Sequence, residues 1–309
     1  MTGRGAEDPP PLEADDVHVW PLRLDPGPAR LQALRSWLSA DERERAGRFY
    51  FGRDRDRFVA GRGQLREVLA RYLRVPPSAV AFSYGPQGKP RLAGDGRLRF
   101  NLSHSEDRAL LAVARRELGI DLERIRPTVD YHEIARYFFS SEETATLMGL
   151  PSAGRARAFF AFWTYKEAFI KAKGGGLGIQ LADFDVCVEP DGLARLTRTA
   201  WDPEETGRWS LRALPAPAGF AAAIAIERRP AHVIVVPASH LRSAARRERR
   251  ERSLRPGSQQ ALPPRSAPQI YSPRALRMSS PWDFHHWCST VMSVPTEKCR
   301  TPMSRKYFA

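Results

Sequence analysis

The sequence is short of cysteine, of lysine and of long apolar runs. Its three cysteines, Cys187, Cys288 and Cys299, are too few and too scattered for a disulfide framework or for a zinc site, whose ligands come in closely spaced pairs. A reduced, cytoplasmic setting is the expectation. No apolar run approaches the ~18 residues of a membrane span. The richest stretches, ALLAVA (109–114) and AGFAAAIAI (218–226), have the length of strands. The N-terminal MTGRGAEDPPPLEADD is acidic and proline-rich and lacks the basic-then-apolar order of a secretory signal. Of 49 basic residues only six are lysine, at positions 89, 166, 171, 173, 298 and 306. The four before residue 233 occupy two short segments. A lysine kept where arginine is the rule points to a position that needs a compact ammonium and not a planar fork.

What is abundant is positive charge, +14 in all. From Val233 onward there are 14 basic and 4 acidic residues, a net of +10, which leaves +4 (14 − 10) for residues 1–232. The tail is also rich in proline and serine, as in RSAARRERRERSLRPGSQQALPPRSAPQ, and such a composition buries too little apolar surface to offset chain entropy. The expected organisation is a disordered N-terminus over 1–14, a folded unit with halves at 15–115 and 116–232, and a mostly disordered tail over 233–309. PWDFHHWC (281–288) is the tail's one aromatic cluster. No internal repeat is visible inside 1–232.

Within that unit VHVWPL (17–22) reads as a strand. SADERERAGRF (39–49) opens with a capping box, Ser39 with Glu42. Residues 56–73 have helical spacing, with Leu65, Val68, Leu69 and Tyr72 on one face. Strands are expected near 79–84, 98–101, 109–114 and 118–123. A second capping box pairs Ser140 with Glu143. A long helix is expected from Arg155 to Lys173, stopped by three glycines, and strands near 183–188, 208–214 and 219–226 close the unit. The order is mixed α/β, in two comparable stretches, with turns short enough for antiparallel pairing.

Four segments carry chemistry. In GIDLE (119–123), Asp121 and Glu123 share one strand face while Ile120 and Leu122 take the other. Two carboxylates side by side repel, and a hard cation such as Mg²⁺, which takes carboxylate oxygens, removes the conflict; the plain alternative is an edge strand with two solvated acids. In FWTYKEAFIKAKGGGLGIQL (162–181), Glu167 and Lys171 stand four apart on a helix whose phenylalanines predict burial. The alternative is an ordinary surface pair worth ~0.3 kcal/mol. In YGPQGKPRL and RFNLSHSED (84–107), a turn lysine, Lys89, and the group Asn101, Ser103, His104 and Ser105 make a phosphate cradle or a polar turn. DERERAGRFYFGRDRDRF (41–58) supplies arginines for a distant phosphate or a solvated face.

DERERAGRF, GKP, FNLSHS, GIDLE, FFSSEE and FWTYKEAFIKAKGGGL occur in the order found in 4'-phosphopantetheinyl transferases of the Sfp type, and the chain resembles that family over residues 15–228. The resemblance implies an α+β fold of two similar halves related by a pseudo-twofold, with the active site between them. It implies transfer of the phosphopantetheine arm of coenzyme A to a serine of an acyl or peptidyl carrier protein, releasing adenosine 3',5'-bisphosphate. By motif position it makes Asp121, Glu123 and Glu167 the Mg²⁺ ligands. It places Arg45, Lys89, Ser103, His104 and Lys171 on the coenzyme A phosphates. Residues 84–89, including Gly88, and 101–104, including Asn101, would line the nucleotide. Glu167 is the expected base for the serine proton, with Glu123 the other candidate, and Lys171 the stabiliser of departing charge. A monomer without membrane or nucleic-acid partners is expected. Two other readings stand beside this one: a Mg²⁺-dependent nucleic-acid phosphodiesterase, and a non-enzymatic RNA- or carrier-binding adaptor using the basic tail. The +4 on residues 1–232 is low for a nucleic-acid binder.

Overall fold

The structure, a computed structural model, describes residues 8–94, 96–189, 193–230, 232–237 and 240–241. In chain order the elements are β1 (Val17–Arg23), α1 (Pro28–Ser36), α2 (Ala40–Gly47), α3 (Gly52–Leu73), β2 (Phe82–Tyr84), β3 (Pro90–Leu92), β4 (Arg99–Ser105), β5 (Arg108–Ala114), β6 (Leu118–Arg124), α4 (Tyr131–Phe138), α5 (Ser141–Gly149), α6 (Ser152–Lys173), β7 (Phe184–Val188), β8 (Leu193–Thr199), α7 (Glu205–Arg208), β9 (Trp209–Ala213), β10 (Phe220–Glu227) and β11 (Val233–Val235). One sheet runs β11-β1-β5-β4, a second β6-β10-β9-β8-β7, and β2 and β3 form a separate hairpin. All pairings are antiparallel except β1 with β11.

The two halves repeat one plan, as the two comparable stretches of the sequence predict. Each begins with a seven-residue strand (β1, β6) and proceeds through helices to a 22-residue helix (α3, α6). Each then makes a short hairpin (β2–β3, β7–β8) and a longer one (β4–β5, β9–β10). The last strand of that hairpin pairs with the half's first strand, β5 with β1 and β10 with β6. The chemistry is duplicated too. Glu42 closes its capping box on the Ser39 amide and accepts from buried Arg66 of α3 at 2.7 Å. Glu143 closes its own on the Ser140 amide and accepts from buried Lys166 of α6 at 2.6 Å. Arg66 and Lys166 are each the fifteenth residue of their helix (66 − 51, 166 − 151). In both halves a glutamate that starts one helix anchors the long helix from beneath, and a carboxylate so paired avoids the cost of burial.

Three large apolar clusters hold the architecture among the described residues. One gathers around α6 with Phe159, Phe160, Trp163 and Phe169, and a second around α3 with Trp20, Leu65, Leu69 and Leu111. The third, with Val17, Val19, Leu110, Ala112, Ile120, Leu122 and Ile224, lies where the two sheets face each other. Ile120 and Leu122 thus turn toward the first half, and Asp121 and Glu123, the alternate residues of β6, turn toward α6.

Both capping boxes are observed, and Gly174 stops α6 in the left-handed conformation at φ 71°. Helix α3 begins at Gly52 and α6 at Ser152, each a few residues ahead of the apolar spacing that predicts them. The proline-glycine run at 25–28 disguises α1, which starts on Pro28. Strand β11 continues the fold past the expected boundary at 232: it pairs with β1, and Val236 and Leu241 are buried in the α3 cluster. The rest of the expected tail, including PWDFHHWC, and residues 1–7 lie outside the described residues. Among the described residues no helix is long and apolar enough to cross a membrane.

Candidate active site

The site begins with a glycine. A Cβ on Gly119 would stand 2.1 Å from the Ala168 carbonyl oxygen and 2.3 Å from the Ala172 amide nitrogen. Only a residue without a side chain lets β6 lie this close to α6. Two positions along β6 the next inward side chain is Asp121, and the facing turns of α6 carry Glu167 and Lys171. Asp121, Glu123 and Glu167 are all buried.

Lys171 turns away from its helical neighbour: its Nζ donates to Asp121 Oδ1 at 2.5 Å and to Ser103 Oγ at 3.4 Å. Glu167 keeps both carboxylate oxygens buried without a hydrogen-bond partner among the described residues. The ordinary surface pair is therefore ruled out, and so are two solvated acids on an edge strand. Burial pushes the Glu167 carboxyl up to about 8, with Asp121 adding to the rise and Lys171 opposing it. Burial, then Asp121, pushes Glu123 up to about 8 as well. Such a cluster of raised acids around one ammonium is costly to hold and marks a place built for a ligand.

The corresponding position in the other half shows the difference. Glu67 and Glu167 are each the sixteenth residue of their helix (67 − 51, 167 − 151), and Arg71 and Lys171 the twentieth. Glu67 is paired with Arg30 of α1 and, at 3.7 Å, with Arg71. The same helix position is thus satisfied in one half and left open in the other, where Asp121 stands in place of the apolar Trp20 (121 − 118 = 20 − 17).

β4 meets β6 edge to edge through side chains. Asn101 Oδ1 accepts the Ile120 N–H at 2.8 Å, and Ser103 Oγ and Ser105 Oγ accept those of Leu122 and Arg124 at 3.1 Å each. Ser103 Oγ then donates to Asp121 Oδ1 at 2.9 Å, and Ser105 Oγ to Glu123 Oε2 at 3.0 Å. The structure thus joins Asn101 and Ser103 to the acids as seam residues, a role visible only once β4 is known to lie beside β6.

The remaining expected site residues are placed elsewhere. Lys89 spends its three donors on Glu117 Oε2, the Leu118 carbonyl and the Ala172 carbonyl, a full set for an ammonium. With Arg91 and Arg99 it holds the Glu117 carboxyl at about 2 against the upward push of burial. Lys89 is therefore a clamp between the β2–β3 turn and the second half. Gly88 gives that turn its positive φ of 77°. His104 is half-buried on the opposite face of β4 from Ser103. Arg45 lies on α2 with its guanidinium over Phe58 at 5.6 Å, beside the small cluster of Leu38, Ala46 and Val59. Of the four lysines before residue 233, Lys89, Lys166 and Lys173 are cross-links, and Lys171 alone joins the acids.

Carboxylates with no sulfur or imidazole among them are the donor type a hard divalent cation takes, and the two oxygens of Glu167, without a hydrogen-bond partner among the described residues, fit such a group. Among the described residues no three acid, histidine or cysteine side chains are drawn around one point closely enough to hold a metal as they stand. Lys171 takes Asp121 in that arrangement.

Fold, repeat and acid cluster define a two-half α/β protein with one buried acidic centre at its seam. A family model described as the 4'-phosphopantetheinyl transferase superfamily matches residues 117–225, and one described as 4'-phosphopantetheinyl transferase, N-terminal, matches 23–116. The chain is 45% identical over 195 residues to 4'-phosphopantetheinyl transferase HetI of Nostoc sp., covering 62% of this chain and 82% of that protein. It is 34% identical over 157 residues to 4'-phosphopantetheinyl transferase Sfp of Bacillus subtilis, covering 51% and 69%. This chain belongs to the 4'-phosphopantetheinyl transferase family.

Proposed function

We propose that the protein moves the 4'-phosphopantetheine arm of coenzyme A onto a serine of an acyl or peptidyl carrier protein, and that the acid cluster is where it does so. The observation that carries this is Glu167, buried with neither carboxylate oxygen hydrogen-bonded among the described residues, where its counterpart Glu67 is ion-paired with Arg30 and Arg71. In the reaction the carrier serine oxygen bonds to the β-phosphorus of coenzyme A. The bridging P–O bond breaks, and adenosine 3',5'-bisphosphate leaves. Such a transfer is catalysed mainly by positioning and by neutralising charge. A Mg²⁺ ion held by Asp121, Glu123 and Glu167 would neutralise the pyrophosphate.

Glu167 accepts the serine proton. Its carboxylate accepts no hydrogen bond among the described residues, whereas Glu123 is engaged by Ser105. Lys171, already at the acids, moves toward the developing charge on the leaving phosphate. Ser103 and Asn101 act on the coenzyme A side by fixing the strand edge beside it. The cleft works in a single chain, in the cytoplasm, and takes no nucleic acid.

The test is mass spectrometry of apo carrier proteins mixed with coenzyme A, Mg²⁺ and this protein. The carrier gains about 340 Da, the mass of one phosphopantetheine, as the phosphoryl transfer requires. No gain across a panel of carriers, with cleavage of RNA or DNA instead, overturns the reading in favour of a nuclease.

A further inference from the structure

The outer edges of β1 and β6 are equivalent in the internal repeat, and they are closed in two different ways. On β1 the edge is closed by a strand: the Val17 N–H donates to the His232 carbonyl, and Val19 and its neighbours pair with β11. On β6 it is closed by three side chains of β4, which take the N–H groups of Ile120, Leu122 and Arg124. A backbone carbonyl satisfies an N–H and has no proton to offer in return. A serine hydroxyl satisfies the same N–H and keeps one proton to donate. That remaining proton goes to Asp121 from Ser103 and to Glu123 from Ser105.

From this contrast we infer that Ser105 is a positioning residue of the acid cluster, supplied by the other half of the molecule. It fixes one oxygen of Glu123 and leaves the second oxygen for the ligand. The sense of its hydrogen bonds is determined by the backbone: because the Arg124 N–H points at Oγ, the hydroxyl proton is directed to the carboxylate. Both partners are buried, so the bond has no water to compete with it. Ser105 also ties catalysis to docking of the halves, since a shift of β4 along β6 removes the donor from the acid. The inference rests on the proposed role of the acids as holders of a divalent cation. Partners that orient metal ligands in this way are typically worth ~10- to 100-fold in metal affinity.

The experiment measures binding of Mg²⁺ alone to the full-length protein by titration calorimetry, with thermal melts alongside. Ser105→Ala weakens Mg²⁺ binding about tenfold, and Ser105→Thr, which keeps the hydroxyl, restores it. In carrier assays the loss in Ser105→Ala appears as a higher Mg²⁺ requirement, with KM for the carrier unchanged. A lower melting temperature with Mg²⁺ affinity unaltered overturns the inference and leaves Ser105 a structural seam residue. Should Ser105→Ala not fold, Ser105→Cys, of similar volume and with only a weak donor, gives the same reading. Glu123→Gln and Glu167→Gln are measured in parallel. If they bind Mg²⁺ like the wild type, the metal-holding role of the acids fails and the inference falls with it. If they lose binding and folded Ser105→Ala does not, the inference alone fails.

Discussion

Gly119→Ala tests whether the approach of β6 to α6 sets the site. The new methyl carbon would sit 2.1 Å from the Ala168 carbonyl oxygen, where ordinary contact begins at 3.4 Å, so strand and helix must part by about 1.3 Å (3.4 − 2.1). All the nearest atoms, including Lys171 C at 2.8 Å, are backbone, so no side chain can swing aside. Overpacking of this kind costs about 3 kcal/mol, which for a protein of this size lowers the melting temperature by roughly 6–12 °C. The same displacement opens the Lys171–Asp121 contact from 2.5 Å to as much as about 3.8 Å (2.5 + 1.3), beyond hydrogen-bond range. Misplacement of about 1 Å costs ~10²-fold in rate. Turnover measured by the carrier mass shift should therefore fall about a hundredfold in protein that remains folded at 25 °C. The control is Gly154→Ala in α6, where nothing lies within 4 Å; it should be neutral or slightly stabilising. If Gly119→Ala melts and turns over like the wild type, the close approach does not position the acids.

Two further outcomes follow from the same structure. In EDTA, the wild type should lose stability as pH rises from the unfolded carboxyl value of 4.5 through about 8, because folding holds Glu167 raised and penalises its charged form. Glu167→Gln, neutral and of similar shape, should flatten that part of a urea-midpoint profile between pH 5 and 9 while abolishing transfer; an unchanged slope would place the raised acid elsewhere. A chain ending at Pro230 lacks β11 and the buried Val236 and Leu241. It should be about 3–5 kcal/mol less stable in urea than one ending at Leu241, from the lost apolar burial alone, and equal midpoints would show that the last strand contributes nothing.

Local rules made some of this legible from the sequence. A capping box is a contact between residues three apart, so Ser39 with Glu42 and Ser140 with Glu143 are readable without a fold, as is the glycine stop at 174. The alternation in GIDLE correctly puts Ile120 and Leu122 on one face and both acids on the other. Partners far apart in sequence were not legible. Lys89 in a GKP turn carries no sign that Glu117, Leu118 and Ala172 await it. The i,i+4 spacing of Glu167 and Lys171 predicts a pair, and tertiary structure redirects the lysine to Asp121. Asn101, Ser103 and Ser105 read as turn or phosphate residues because their real partners are N–H groups on a strand whose neighbour the sequence does not reveal. The short strand β11 was hidden by the charged stretch that follows it.

The repeat explains why one half carries the open acid cluster. A buried glutamate near the end of a long helix is costly unless paired, and the first half meets the cost with Arg30 and Arg71. In the second half, Asp121 replaces an apolar residue opposite that helix position and draws Lys171 to itself. That change at β6, with Glu123 where β1 has Leu22 (123 − 118 = 22 − 17), takes the helical lysine from the glutamate and gathers three buried carboxyl groups around one ammonium. Gly119 where β1 has His18 (119 − 118 = 18 − 17) lets the helix come close enough for the acids to interact. Changing Asp121 to Leu, apolar like the Trp20 of the first half but close to aspartate in size, should return Lys171 to Glu167 and leave a folded protein without transfer activity.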